Sequence, residues 1–413
     1  MTTPDRRGGT GPGLPSWVIA PEGVLVLAAL LLAPLAVLAP LLVGASVLLL
    51  AVGWRRIPWR RLDRMVLVGL AALVLWAVLS SRWSPQPGPS LRGALQLGGT
   101  LILGGLYFVF AQDLDRQGRR RVGLAFLADM GIALLALGFL VLRARFVTTS
   151  DYTLHQALAH FSRGAIVVTA SVVPLAAVLF VRAGAKAVLA AVATVAVAIM
   201  LGSSGAAKMG LLALLAIAVA ARVLPRAAAW VLAAALVATV IATPLLAARL
   251  PSPQRIADQW PSLSNSTHHR MTIWSFTGRN IAKKPMVGWG FDGSRSIPGA
   301  DDEIRVVLHM ESQDLPVTEP QLPLHPHNNM LQWWLELGLI GVAIITVVLL
   351  VALRRAATIP SRMGRSLLLA FAGTAFMVAQ TSFGAWQVWW LAGLWMLAGL
   401  SAAFVRDLPA GEC

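Results

Sequence analysis

The sequence predicts an all-α, polytopic membrane protein with about 12 transmembrane helices and one large extracytoplasmic loop, on three observations. The 413 residues are 57% hydrophobic and only 13% charged. Apolar runs long enough to cross a hydrocarbon core of about 30 Å recur along the whole chain. The basic residues cluster in short connections: Arg55, Arg56, Arg60, Arg61 and Arg64; Arg116, Arg119, Arg120 and Arg121; Arg182 and Lys186; Arg222 and Arg226; Arg354, Arg355, Arg362 and Arg365. These fall on every second connection, the positive-inside pattern of cytoplasmic loops. The formal net charge of +16 therefore reports orientation and argues against a nucleic-acid partner.

In chain order, a cytoplasmic tail, 1–16, precedes spans at about 17–36 and 38–54, with a tight outer turn at 34–40 between them. Arg6 and Arg7 ahead of the first apolar run, with no small-residue cleavage site behind it, read as a retained signal anchor. Spans follow at about 65–80, 92–111 and 122–142, the first two joined by a Pro- and Ser-rich outer loop, 81–90, and the third followed by a polar outer segment, 143–163. The basic loop 182–186 joins spans at about 164–181 and 187–202; the next begins near Ala206, and another at 227–245 completes a bundle of about nine spans over 17–245. Residues 246–326 are then the large loop, expected to be periplasmic, to hold amphipathic helices, and to be long enough for a small folded region. Three more spans, about 328–353, 366–382 and 386–404, occupy 327–404, and 405–413 returns to the cytoplasm. The sole cysteine, Cys413, rules out an intrachain disulfide.

Chemistry gathers where the large loop re-enters the membrane. His325, Pro326, His327, Asn328 and Asn329 open a long apolar run. Proline is excluded from a helix interior and pushes the residue before it to extended geometry, so a helix is expected to start at about His327 or Asn328. Asn328, Gln332 and Glu336 then share one face, Glu336 roughly 12 Å along the axis. An acid inside a span is costly and is paired or functional; for Glu336 the sequence favours a structural hydrogen bond or ion pair with a neighbouring span over direct catalysis. Gly338 and Gly341 lie beyond it, where small residues let another backbone approach. Upstream, Ser264, Asn265 and Ser266 offer caps for an amphipathic helix with Arg270 and Trp274 one turn apart on one face. His268 and His269 are expected to be exposed. Gly288, Gly290 and Gly293 mark a backbone that turns tightly or approaches a ligand.

An Arg four residues before a Trp, then Lys-Pro-Met-Val-Gly-Trp-Gly-Phe, then His-Asn-Asn-x-Leu-Gln-x-x-x-Glu-x-Gly-x-x-Gly, resembles the O-antigen ligase and polymerase superfamily over about residues 260–345. Phe161-Ser162-Arg163-Gly164, with Pro174 in the same span, resembles an Asn-Arg-Gly-like element of that family, with Ser162 a departure; Ser203 to Lys208 resembles a weaker Ser-rich element, with Lys208 where Arg is commoner. The resemblance implies a membrane-embedded glycosyltransferase of the bacterial inner membrane. Its expected donor is a glycan on undecaprenyl pyrophosphate, and its acceptor a lipid A core sugar hydroxyl on the periplasmic side. The alternatives are a polymerase acting on a second lipid-linked repeat, and a protein O-oligosaccharyltransferase. A polyprenyl-lipid or glycan transporter is the alternative of a different class, but no repeat relates the two halves of the chain.

In this reading His327 is the base that takes the acceptor proton, and Arg163 and Arg270 are catalytic cations at the membrane boundary, suited to pyrophosphate by charge and by the guanidinium fork. Lys208, Asn328, Gln332, Trp274 and His325 are expected to bind substrate, with Glu336, Gly288, Gly290, Gly338 and Gly341 as structural support. No cofactor and no metal are expected: the early outer turns lack paired acids, and Asp301, Asp302 and Glu303 read as a solvated acidic run.

Overall fold

The structure is a computed structural model that describes residues 57–147, 161–309 and 314–410. The spans expected at 17–36 and 38–54, with Arg55, Arg56 and Cys413, lie outside the described residues. The chain is an all-α polytopic membrane protein: among the described residues nine helices are long and apolar enough to cross a membrane. They are α1 (Arg64–Ser80), α2 (Pro87–Asp113), α3 (Arg116–Val147), α4 (Ser162–Leu201), α5 (Gly205–Val223), α6 (Pro225–Ala248), α9 (Asn329–Ala357), α10 (Arg362–Thr381) and α11 (Val388–Phe404). Between α6 and α9 the large loop carries α7 (Pro253–Gln259), α8 (Asn265–Lys283) and strands β1 (Glu303–His309) and β2 (Asp314–Pro320).

At 1.5 Å per residue a straight α4 would be about 60 Å long, twice the hydrocarbon core. It is not straight. Gly184 sits at φ +76°, ψ −173° and divides it into 162–183 and 185–201. Arg182 donates to the Arg120 carbonyl (2.8 Å) at the base of α3, while Thr169 packs near Gly210 of α5, so the second half runs back towards the end where α4 began. The two spans expected here are these halves, and a single-glycine reversal replaces the expected loop at 182–186. Residues 164–178 are buried throughout, which makes the first half the central helix of the bundle.

Every described basic connection lies at one end. Arg61 pairs with Asp113 (3.1 Å), Arg119 with Asp407 (2.5 Å), Arg355 with Asp63, and Arg362 donates to the Arg222 carbonyl (2.8 Å). An exposed pair such as Arg61–Asp113 adds little stability; the value of these contacts here is to show which helix ends are neighbours. The 81–86 turn, Ser203–Ser204, the large loop and the 382–387 turn therefore share the opposite end.

The hairpin is the departure from helix. β1 and β2 pair antiparallel from Glu303↔Pro320 to His309↔Asp314. Pro316 and Pro320 are tolerated because a two-stranded sheet is all edge. The loop docks on the bundle through Ile273, Phe276, Ile281, Leu322, Leu331 and Leu335. Because this face of α8 is packed, His268 is buried, contrary to the expectation of exposure, and His269 meets the Glu319 carboxylate of β2.

Candidate active site

The local architecture starts from a broken helix. Asn328 caps α9, its Oδ1 accepting from the Leu331 N–H (3.1 Å), because Pro326 prevents an earlier start. Ten residues later Gly338, at φ +62° and ψ −167°, interrupts the helix. The segment 285–290 lies across the break and takes up its backbone groups: Trp289 N–H donates to Leu335 O (2.8 Å), Gly290 N–H to Glu336 O (2.9 Å), and Leu339 N–H to Pro285 O (2.9 Å). A Cβ on Gly288 would stand 2.4 Å from the Glu336 carbonyl, and one on Gly338 would stand 2.5 Å from the Met286 carbonyl. Two backbones thus meet where neither side can give way. Gly341 differs from its expectation: its missing Cβ makes room for the Leu337 side chain of its own helix, at 2.3 Å, and not for another backbone.

Glu336, fully buried, is the polar centre of this arrangement. Its carboxylate accepts from the Asp292 N–H (3.0 Å), the Gln332 amide (3.1 Å), the Ser294 hydroxyl and the Trp386 indole. Gln332 in turn accepts from the Ala385 N–H (2.8 Å). The acid therefore ties the glycine loop, its own helix and the 382–387 turn together by hydrogen bonds. The glycine loop is anchored on its other side by serines the sequence did not single out: Ser80 accepts from the Phe291 N–H (3.1 Å) and Ser90 donates to the Phe291 carbonyl (2.5 Å). Burial pushes the Asp292 carboxyl above the usual carboxylate range, with Arg295 opposing.

The His-Pro-His turn stands on this frame. Trp274 of α8 donates its indole N–H to the Pro326 carbonyl (2.8 Å). His327 has φ +54°, the left-handed region. Its Nδ1 lies 3.0 Å from the Ser382 carbonyl. A carbonyl only accepts, so Nδ1 carries the hydrogen and Nε2 presents a lone pair. Burial, with the charges of Arg270 and His269 adding to it, holds His327 below the ordinary histidine range, against the opposing Ser382 carbonyl. His325 lies against it, ring centroids 4.3 Å apart.

Arg270, one turn before Trp274, is close enough for its charge to act on His327. Arg163 in the first turn of α4 and Lys208 in the first turn of α5 stand at the same end of the bundle, the first exposed and the second half-buried. Asn328 and Gln332, expected to bind substrate, commit their polar atoms internally: Asn328 also donates to the Gln380 carbonyl (3.2 Å), and Gln332 links Glu336 to Ala385. Sequence reasoning missed the 382–387 turn, which supplies Ser382, Trp386 and Gln387, and the Asp292–Arg295 segment; the polar residues of a short outer turn facing the histidine motif were the available signal. Below the site a cavity of about 1500 Å³ runs through the bundle from Arg60 and Arg355 to Asn329 and Trp386, with apolar walls that include Leu73, Leu97, Leu236 and Trp333. Among the described residues no three His, Cys, Asp or Glu side chains gather where they could hold a metal ion.

Residues 189–346 match the model of a protein family described as O-antigen ligase. The chain is 28% identical over 166 residues to a protein of Rickettsia conorii, 30% identical over 166 residues to one of Rickettsia typhi, and 32% identical over 155 residues to one of Rickettsia bellii. Each of these is named as a candidate polysaccharide ligase. The matches span 37–40% of this chain and 36–39% of each relative, so the similarity is confined to about two fifths of either length. The family match takes in Lys208, Arg270, the glycine loop, His327 and Glu336; Arg163 and the 382–387 turn lie outside it.

Proposed function

We propose, from the O-antigen-ligase segment at residues 189–346, that this protein is a membrane-embedded glycosyltransferase. It transfers a glycan from undecaprenyl pyrophosphate to a sugar hydroxyl of the lipid A core, on the periplasmic face of the bacterial inner membrane. The observation that carries the reading is His327: a histidine whose Nδ1 hydrogen is committed to a carbonyl, whose Nε2 lone pair is available, and which stands beside Arg270 at the boundary opposite the basic loops.

The acceptor oxygen attacks the anomeric carbon as its proton passes to His327 Nε2. The bond from that carbon to the pyrophosphate oxygen breaks, and the electron pair leaves with undecaprenyl pyrophosphate. A single displacement inverts the anomeric centre, and no covalent enzyme intermediate forms. Arg270, Arg163 and Lys208 hold the donor's pyrophosphate and offset the charge that grows on it, with Arg270 offering paired N–H donors. The apolar cavity suits an isoprenoid chain. The proposed displacement is metal-independent and uses no cofactor.

The test is purified protein given a lipid-pyrophosphate glycan with lipid A core and a second lipid-linked repeat side by side. Glycan on the core supports the ligase. A lengthened lipid-linked glycan would make the protein a polymerase, and glycan on neither would overturn the reading.

A further inference from the structure

The His-Pro-His turn contains two histidines with opposite hydrogen-bonding duties. His327 donates from Nδ1 to Ser382. His325 does the reverse: the His327 backbone N–H donates to His325 Nδ1 (3.1 Å), so Nδ1 holds a lone pair and the neutral ring carries its hydrogen on Nε2; the Gln387 amide 3.5 Å away meets that N–H with its oxygen once the amide is turned to suit this tautomer. This is the geometry of an Asx turn, in which a side-chain acceptor captures the N–H two residues on. It closes over Pro326 and fixes the plane of the Pro326–His327 peptide, from which the chain enters His327 at a left-handed φ of +54°. The ring is itself held in place. A Cβ on Gly384 would lie 2.9 Å from His325 Cδ2, so only glycine there lets the imidazole seat against the 382–387 turn.

We infer that His325, expected from the sequence to bind substrate, is instead a positioning residue, acting through the Pro326–His327 peptide to hold the turn that presents the Nε2 of His327, and that it carries no proton in the reaction. Burial, then the neighbouring charges of His327 and Arg295, bring the pKa of His325 down to about 3, which keeps the ring neutral and its Nδ1 free to accept. The inference deepens the reading of His327 as the base and rests on it.

Three substitutions separate positioning from proton transfer. Asparagine at 325 places an acceptor oxygen where Nδ1 stood but cannot titrate, so His325→Asn should keep most of the transfer rate. His325→Ala and His325→Leu remove the acceptor. They should lower kcat about 100-fold, as misplacement of a reacting group does, with the donor KM little changed. A second readout does not depend on transfer. In full-length protein labelled with ¹⁵N-histidine in nanodiscs, wild type should give His325 as the Nε2–H tautomer and His327 as the Nδ1–H tautomer. His325→Asn should keep the His327 signal, and His325→Ala should disperse it. The inference is overturned if His325→Asn is as impaired as His325→Ala while both remain folded, if His325→Ala transfers at the wild-type rate, or if His325 carries its hydrogen on Nδ1. Should His327→Ala itself retain transfer, the base reading fails, and the tautomer measurement still decides the positioning role.

Discussion

Gly338→Ala tests the frame beneath the site. At φ +62° and ψ −167° the residue occupies a region open essentially only to glycine, and an alanine there costs of order 1–3 kcal/mol in conformation alone. Its Cβ would also lie 2.5 Å from the Met286 backbone, which forces the strap at 285–290 off the helix. That removes the hydrogen bonds from Trp289 to Leu335, Gly290 to Glu336, Leu339 to Pro285 and Ile340 to Met286, each worth about 1 kcal/mol net. The combined loss is about 5–7 kcal/mol, which over a chain of this length lowers Tm by roughly 6–8 °C. The assay is thermal denaturation of the purified protein in nanodiscs beside Gly99→Ala, a change on α2 with nothing within 4 Å of the added carbon. Gly99→Ala should be neutral. A Gly338→Ala protein as stable as wild type would refute the broken-helix argument.

Glu336→Gln keeps the shape but turns an amide N–H₂ towards groups that already donate; leaving buried donors unmatched costs about 1–3 kcal/mol each, so Tm should fall and transfer with it, as a melting curve and a rate will show. Arg270→Lys retains the charge and loses the fork. Transfer should drop roughly 100-fold with a raised donor KM, and unchanged donor kinetics would remove Arg270 from pyrophosphate binding. Acid should destabilise the wild type through His325. The unfolded histidine takes a proton near its ordinary 6.5 and the folded one only at about 3, so the unfolded chain binds more protons across that window and stability declines as pH falls through it. His325→Asn should flatten that part of a plot of Tm against pH, and an identical slope in both proteins would assign the effect elsewhere.

Much of the fold was legible because hydropathy and clustered arginines depend only on local sequence. The helix start at Asn328 was legible too, since Pro326 leaves no choice. What escaped was set by distant partners. Glu336 reads as an acid inside a span, but three of its four donors come from residues 292, 294 and 386, which no spacing rule connects. Gly338 reads as a packing glycine in an apolar run; only the strap across it makes it a break. Gly184 was hidden within a loop expected at 182–186, because a one-residue reversal has no hydropathy signature. β2 was obscured by Pro316 and Pro320, and the burial of His268 by a helix face whose covering depends on the whole loop. The tautomer of His327 is set by Ser382, 55 residues further on.

The decisive measurement of His327 as the base is single-turnover transfer from a lipid-pyrophosphate glycan to lipid A core, by wild-type and His327→Ala proteins matched for folding. Product is expected with the wild type, and a rate about 10³-fold lower in the variant, the usual scale for a lost general base. Equal rates in the two proteins would contradict that role.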